Sequence, residues 1–417
     1  MTSVSRILLA WELGANYGHL LQLAAVAERL RAAGHGVLIA VRDLTGAAEV
    51  LGARGLAFVQ APIFDRRQRA PAPPVNHAEM LALAGYSDEP TARGLVSGWV
   101  TLARMFRADA IVADHSPGAL VAARVLALPQ AQIGTGFEIP PLASPMPSIR
   151  PWEQIPDERL RRSERQLLRR VNRILRSFSS REFDTLADWF RTGARMYTTF
   201  PELDPFGPRP GERYIGPIYE YESGEPAPWP KGEEPRIFAY LRGDVPGAAS
   251  ILKALSTAAA RTLCVLPGKQ PAATKALESG ALKIASRPVQ LKSVLPDADL
   301  ALVYGGHGVM CAALAAGVPL LVAPHTVEQY LHARRVEAGG AGALIGKDRR
   351  FETVLGCITK ALRDDGLRAG ARQFAARHAA FQPARAAAEA AEIIGAVAGG
   401  RRQPVPAPVS RETGVMR

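Results

Sequence analysis

One arrangement constrains this chain more than any other: an apolar strand, a glycine turn, an amphipathic helix and a second strand, repeated. Residues Arg6–Trp11 form an apolar run of strand length and lead into a turn that holds Gly14 and Gly18. Leu20, Leu23, Ala24, Ala27 and Leu30 then recur at helical spacing up to the stop signal Ala33-Gly34, and Val37–Val41 reads as the next strand. Strands joined through a helix run parallel, with a right-handed crossover. The pattern returns as strand Ala110–Ala113, helix Gly118–Ala127 and strand Ala131–Ile133. It resumes later with strands Ile237–Leu241, Thr262–Leu266, Leu300–Val303 and Leu320–Val322, helices between and after them, and the closing Ala-rich helix Pro383–Val397. The fold class this predicts is α/β: two facing doubly wound, Rossmann-like domains with parallel sheets. In such sheets ligands bind outside the carboxyl ends of the strands.

Proline places the boundaries. Ala70–Pro74 and Pro140–Pro156 read as loops, and the Pro-rich stretches Leu203–Pro210 and Gly224–Pro235 bracket a short segment, Tyr214–Tyr219. The expected layout is an N-terminal domain over 1–205, a linker over 206–235, a second domain over 236–400 and a disordered tail over 401–417. A chain of 417 residues buries enough surface to need no disulfide or metal staple. Its cysteines, Cys264, Cys311 and Cys357, are far apart in apolar contexts and read as buried hydrophobes in a reducing cytosol. No apolar run reaches the ~18 residues of a bilayer span, and the apolar start is interrupted by Glu12, so it reads as a strand and not a leader.

The formal charge is +12, from 51 Lys and Arg against 39 Asp and Glu. Of the basic residues 43 are Arg, beside abundant Ala and Gly, which fits a GC-rich genome as well as it fits selection for anion binding. The surplus is local. Asp157–Arg176 carries eight Arg and three acids over a helical apolar stripe of Leu160, Leu167, Val171, Leu175 and Phe178, and the tail 401–417 adds a net +3. Together they hold eight of the twelve surplus charges, away from the candidate ligand turns. The surplus therefore does not argue for nucleic acid. It fits a solvated helix face or a surface for anionic lipid.

The most informative stretch is Val303-Tyr304-Gly305-Gly306-His307-Gly308-Val309-Met310, between an apolar strand and a helix read as Met310–Ala316. Glycines at such a turn let the backbone approach a phosphate, and the helix N-terminus offers free N–H donors. No Lys-Ser/Thr follows, so it is not a P-loop. Gly317-Val318-Pro319 ends the helix, a strand follows, and then comes Pro324-His325-Thr326-Val327-Glu328-Gln329. A carboxylate beside a carboxamide just past a strand end can hold two sugar hydroxyls; equally, the pair can stand in a helix N-cap.

Tyr304–Gly339 resembles the nucleotide-sugar signature of the family-1, UDP-glycosyltransferase-type enzymes of GT-B fold. It keeps, in register and without gaps, Gly305, Gly306, Gly308, Leu314, Gly317, Val318, Pro319, Pro324, Gln329 and Ala333. It departs where Tyr304 replaces a His that contacts the donor diphosphate, Val309 a hydroxyl residue, Ala312 a Glu that contacts the ribose, Glu328 an Asp and His332 an Asn. The base-stacking Pro-Gln segment of the family has no clear counterpart around Arg287–Leu291. The resemblance implies a donor site of Arg242, Gly243, Tyr304, Gly305, Gly306, His307, Gly308, Val309, Glu328 and Gln329. Arg242 stands where the family tends to have Ser-Gly, as a fork for phosphate.

The first turn, Tyr17-Gly18-His19-Leu20, resembles the family's Gly-His motif, in which the His is the general base. Imidazole suits the task, because an acceptor hydroxyl must lose its proton as it attacks. A helix N-terminus favours its neutral form. Asp114, at the carboxyl end of its strand, stands where the family keeps the carboxylate that orients this His; as a residue it could also cap the helix near Gly118. His35 reads as a structural strand-start residue. Asp297-Ala298-Asp299 mimics a metal-binding motif but precedes its strand and reads as a turn. No metal-ligand spacing appears. The resemblance implies an inverting, metal-independent transfer with no cofactor, from a UDP- or TDP-linked sugar to a hydroxyl acceptor, small molecule or lipid. The expected location is cytoplasmic, with peripheral contact at an anionic inner membrane face and no nucleic-acid partner. The alternatives are a non-catalytic GT-B descendant that binds a nucleotide-sugar or a protein, and a basic membrane- or nucleic-acid-binding protein on the same fold. An epimerase of this fold would need an acid/base set that the chain does not display.

Overall fold

A computed structural model describes residues 4–14, 17–65, 72–268 and 272–400. Asn16, Ala70 and the predicted tail 401–417 lie outside the described residues. Two compact units are present. One contains the chain up to Pro201, Pro208–Gly216 and the residues from Ala386 onward; the other contains Glu202–Gly207 and Pro217–Arg385.

The sheet of the first unit is built from β1 (Arg6–Trp11), β2 (Gly36–Val41), β3 (Phe58–Gln60), β4 (Ala110–Asp114), β5 (Gln130–Gly134), β6 (Ala194–Tyr197) and β7 (Arg213–Tyr214). Its order is β3-β2-β1-β4-β5-β6-β7, and every pairing is parallel. Ile7 to Trp11 are all buried, as expected of a central strand covered on both faces. The order reverses between β1 and β4, whose register sets Trp11 beside Asp114.

The sheet of the second unit is built from β8 (Arg236–Tyr240), β9 (Arg261–Val265), β10 (Leu282–Ala285), β11 (Leu300–Val303), β12 (Leu320–Val322) and β13 (Gly342–Leu344). Its order, β10-β9-β8-β11-β12-β13, is the Rossmann order, again wholly parallel, with the reversal between β8 and β11.

Two features depart from the sequence reading. Helix Glu89–Phe106 lies in a stretch the strand–helix rhythm passes over. Asp88 caps it by accepting from the Thr91 N–H, and Ala92, Leu95, Val96, Trp99, Val100 and Ala103 form its buried stripe. Trp99 lies in a core cluster with Tyr86 and Trp189. The closing helix, Pro383–Ala398, does not stay with the second unit: from Ala386 it belongs to the first. There the Glu389 carboxylate accepts from Arg213 Nε at 3.0 Å, and Gly395 gives room to the His35 ring. His35 Nδ1 in turn accepts from the Ser5 N–H at 3.2 Å, the structural task read for it.

Helix Asp157–Ser177 buries Leu160, Leu167, Val171, Ile174 and Leu175, and its arginines face outward. Arg159, Arg165, Arg173 and Arg176 pair with Glu79, Glu158, Glu89 and Glu182. Arg161, Arg162 and Arg169 are exposed.

Candidate active site

In the first unit the site begins where β1 stops. The chain turns at Gly14, with φ +86°, and helix Tyr17–Ala32 starts three residues later. His19 therefore falls in the first turn of that helix, above the carboxyl ends of β1 and β4. Its Nδ1 lies 2.9 Å from Asp114 Oδ1. Asp114 is fully buried, while the His19 side chain keeps 13% exposure, so the pair is held from below and open above. Gln22, one helical turn on, donates from Nε2 to Asp114 Oδ2 at 3.1 Å. Trp11 stacks on the imidazole, with centroids 5.1 Å apart and planes at 22°. A carboxylate only accepts, so the His19 proton facing Asp114 sits on Nδ1 and Nε2 carries the lone pair. Asp114 does not cap the following helix; the cap position of Pro117–Val125 is Ser116.

Two residues beside the pair were not legible in the sequence. Glu138 is buried and accepts from the Thr135 N–H at 2.8 Å. Burial raises its pKa, partly offset by His19 and by the Thr135 bond. His115 follows Asp114 with φ +49°, and its ring lies 6.5 Å from that of His19. Neither ring nitrogen of His115 has a hydrogen-bond partner, and burial holds its pKa well below the ordinary range. Beneath them Glu12 accepts from Tyr86 Oη at 2.6 Å and from the Gly118 N–H at 2.7 Å.

In the second unit the donor turn follows β11. Gly305 has φ +100°, and a Cβ there would stand 2.9 Å from Gln329 Cβ, so the turn requires glycine. Gly306 is the N-cap of helix His307–Ala315, which starts three residues before the predicted Met310. No side chain caps it, and the free N–H groups of a helix N-terminus are donors of the kind anions accept from. Gly308 and Val309 lie in the first turn of that helix, where Val309 offers backbone only. Tyr304 is buried, with its hydroxyl beside Gly306, and burial and Tyr240 push its pKa up. Glu328 is half-buried and near enough to Tyr304 to act on its hydroxyl.

Other predicted donor residues have local partners. The Arg242 guanidinium forms a fork with Asp244, at 2.9 and 2.6 Å, next to Gly243. Gln329 Oε1 accepts from the His325 and Thr326 N–H groups, part of a capping box on helix Val327–Ala338. His307 turns inward, 3.5 Å from Cys311 Sγ and tilted against the His332 ring at 4.8 Å between centroids. Burial holds His307 well below its ordinary range, so it carries no charge to offer a phosphate. His332 bonds the Leu203 carbonyl at 3.0 Å. Arg349, which no motif marked, bonds the His325 ring at 2.9 Å and the Pro324 carbonyl. Asp297 and Asp299 both engage Arg236, as expected of a turn.

Residues 250–395 match the family described as erythromycin biosynthesis protein CIII-like, C-terminal domain. The calicheamicin glycosyltransferase CalG4 superposes with a TM-score of 0.70 at 21% identity, covering 94% of this chain and 98% of that one. The fold is that of the GT-B glycosyltransferases, and residues 250–395 are similar to a bacterial family of that type. The spinosyn rhamnosyltransferase SpnG, in complex with thymidine diphosphate, gives a TM-score of 0.66 at 21% identity over 91% of this chain and 98% of that one. Among curated relatives, 4'-demethylrebeccamycin synthase of Lentzea aerocolonigenes is 27% identical over 84% of this chain and 90% of its own length. A PGL/p-HBAD biosynthesis glycosyltransferase of Mycobacterium tuberculosis is also 27% identical, over 64% of this chain, and the match spans 66% of that relative. The GT-B likeness agrees with the Rossmann order of the second sheet and the matching reversal in the first.

Proposed function

We propose that this GT-B glycosyltransferase moves a sugar from a nucleoside-diphosphate donor to a hydroxyl acceptor by a single inverting displacement. The observation that carries this reading is the His19–Asp114 contact of 2.9 Å at the reversal of the first sheet. His19 Nε2 takes the acceptor proton as the acceptor oxygen bonds to the anomeric carbon and the bond to the diphosphate breaks. Asp114 holds the tautomer and balances the imidazolium that forms. In the second unit the uncapped N-terminus of His307–Ala315 holds the leaving diphosphate, with Arg242 and Gly243 across the sheet reversal. Tyr304 and Glu328 face the donor, and Gln329 shapes the turn under Gly305 while its amide N–H group is left for a sugar hydroxyl. No resident metal or cofactor takes part. A thymidine-diphosphate donor is favoured over a uridine one by the ligand in the SpnG neighbour.

The acceptor belongs to the first unit and the donor to the second. The exposed Arg161, Arg162 and Arg169 suit peripheral contact with anionic lipid, and with it a lipid-linked acceptor. Among the described residues no helix is long and apolar enough to cross a membrane. Sedimentation with anionic vesicles at low salt tests this contact, and an unbound protein ends it.

His19→Ala, assayed with a thymidine-diphosphate sugar and a hydroxyl acceptor identified from a donor and acceptor panel, is expected to lose transfer by ~10² to 10⁴ while keeping nucleotide binding. Full activity in this variant overturns the reading. A non-catalytic binder has no need of a buried carboxylate aimed at a helix-start imidazole, so the intact pair supports the enzyme over that alternative.

A further inference from the structure

The base of the first unit has neighbours that proton transfer does not require. His19, His115 and Glu138 bring one ligand atom each within 4.8 Å of one another. Two imidazoles and a carboxylate are a donor set that zinc takes in open, three-ligand sites. The surroundings are built the same way. Asp114 bonds His19 Nδ1 at 2.9 Å, and the Thr135 N–H and hydroxyl hold Glu138 at 2.8 and 2.9 Å. Such partners orient metal ligands and fix the tautomer of a ligating His. The backbone leaves the room: a Cβ on Gly14 would sit 2.7 Å from His19 Nε2 and 3.4 Å from His115 Nδ1. Both nitrogens thus face the same small space. His115 and Glu138 also line an internal cavity with His77 and Gln132.

His115 needs an explanation in any case. It holds a left-handed backbone at φ +49° and buries both ring nitrogens with no hydrogen-bond partner. Unpartnered buried polar atoms are rare, and an ion or water is their usual complement. Two carboxylates, Asp114 and Glu138, stand near the imidazoles, against the one guanidinium of Arg42 that acts on His115. The local charge therefore accepts a divalent cation. Ligands on tetrahedral zinc stand ~3.4 Å apart, so closure asks for side-chain shifts of about 1 Å.

We propose that His19, His115 and Glu138 form a binding site for a borderline divalent metal ion, Zn²⁺ or its analogue Co²⁺, and that the bound ion inhibits transfer by occupying His19 Nε2. The binding half stands on geometry alone; the inhibition half rests on His19 being the base. The full chain, without donor or acceptor, is titrated with Co²⁺ and followed by visible absorption, and with Zn²⁺ by competition against a chromophoric chelator. The expected result is one ion per chain with the intense visible bands of a tetrahedral site. His115→Asn keeps a side chain that tolerates positive φ, and Glu138→Gln keeps the shape of the carboxylate. Each is expected to weaken binding by roughly tenfold to a hundredfold with unchanged thermal unfolding. His115→Asn is also expected to retain metal-free transfer and to resist zinc, and a chelator to restore the inhibited wild-type protein. No ion bound by the wild-type chain, or equal affinity and spectrum in both variants, overturns the site. An ion that binds through these residues and leaves transfer untouched overturns the inhibition and removes His19 from catalysis, while the site itself stands.

Discussion

Replacing Asp114 by Asn changes one atom in a fully buried position and tests the proposed proton transfer directly. The wild-type carboxylate accepts twice, from His19 Nδ1 at 2.9 Å and from Gln22 Nε2 at 3.1 Å. Asparagine offers one oxygen and one NH₂ group. If the oxygen stays with His19, the NH₂ meets the NH₂ of Gln22, and Gln22 must flip its amide. If the NH₂ turns to His19, the imidazole must move its proton to Nε2, the atom that should take the acceptor proton. In either arrangement the negative charge is gone when the imidazolium forms. At a separation of ~4 Å and an effective dielectric of ~20 that charge stabilises the imidazolium by about 4 kcal/mol. A loss of this size is roughly a 10³-fold fall in kcat. Asp114 belongs to the first unit and the proposed nucleotide site to the second, so the thermal shift given by thymidine diphosphate should not change. The assay is initial-rate transfer at saturating donor, beside nucleotide-induced thermal shift. A fall of less than about tenfold would refute Asp114 as the partner of a working base. A large fall together with lost nucleotide binding would point to misfolding and not to the proton.

Three further perturbations follow from the same geometry. Burial lifts the Glu12 pKa from 4.5 to about 7, against the opposing bonds from Tyr86, Gly118 and Ser116. For an acid raised in this way the folded state holds the extra proton between those values. Its stability contribution is present below pH 4.5 and lost as pH rises through about 7, an upper bound of ~3 kcal/mol. Glu12→Gln stays neutral, so the melting-temperature difference between variant and wild type should grow from pH 5 to pH 8; a flat difference contradicts the assignment. Gly14→Ala places a methyl 2.7 Å from His19 Nε2 on a backbone at φ +86°, which costs about 1–2 kcal/mol in strain and should lower kcat/KM by ~10² with nucleotide binding intact. Gly305→Ala meets Gln329 Cβ at 2.9 Å at φ +100°, and calorimetry should show thymidine diphosphate binding weakened by roughly tenfold or more while the first unit's metal titration is unchanged.

What the sequence revealed and what it hid divide by range of interaction. β1 and β11 run over the residues that periodicity marks, because a parallel strand covered on both faces is apolar throughout. His19 and Asp114 were each visible at a strand end or helix start, and strand adjacency brought them together across 95 positions. Gln22 could have been found as well, since it lies one turn from His19 on the same helix face. Glu138 and His115 could not: both sit in irregular chain, and only the packing of β4 beside β5 sets them against His19. Short-range partners were not legible elsewhere. Arg242 and Gln329, expected to face the donor, also engage Asp244, two residues away, and the Thr326 capping box. Helix Glu89–Phe106 shows its Asp-Glu-Pro start and its apolar stripe plainly, but a search for strand–helix–strand units steps over a helix that precedes its strand by a short turn.

The two sheets reverse order at corresponding places, and the residues there carry opposite charge. After β1 and β4 stand Glu12, Asp114 and, nearby, Glu138, gathered around imidazoles. After β8 and β11 stand Arg242, a buried Tyr304 and the uncapped start of His307–Ala315, and after β12 and β13 the Arg349–His325 pair. Buried carboxylates beside imidazole hold or accept protons and attract cations. Guanidinium groups and open helix N–H groups hold anions. On the proposed function, one topology thus presents a proton acceptor in the first unit and a phosphate cradle in the second. Reversing the sign at either place should abolish its function without unfolding the sheet beneath. Of the two, the first is more exposed to interference, because the carboxylates that prepare an imidazole to take a proton also prepare it to take a metal ion.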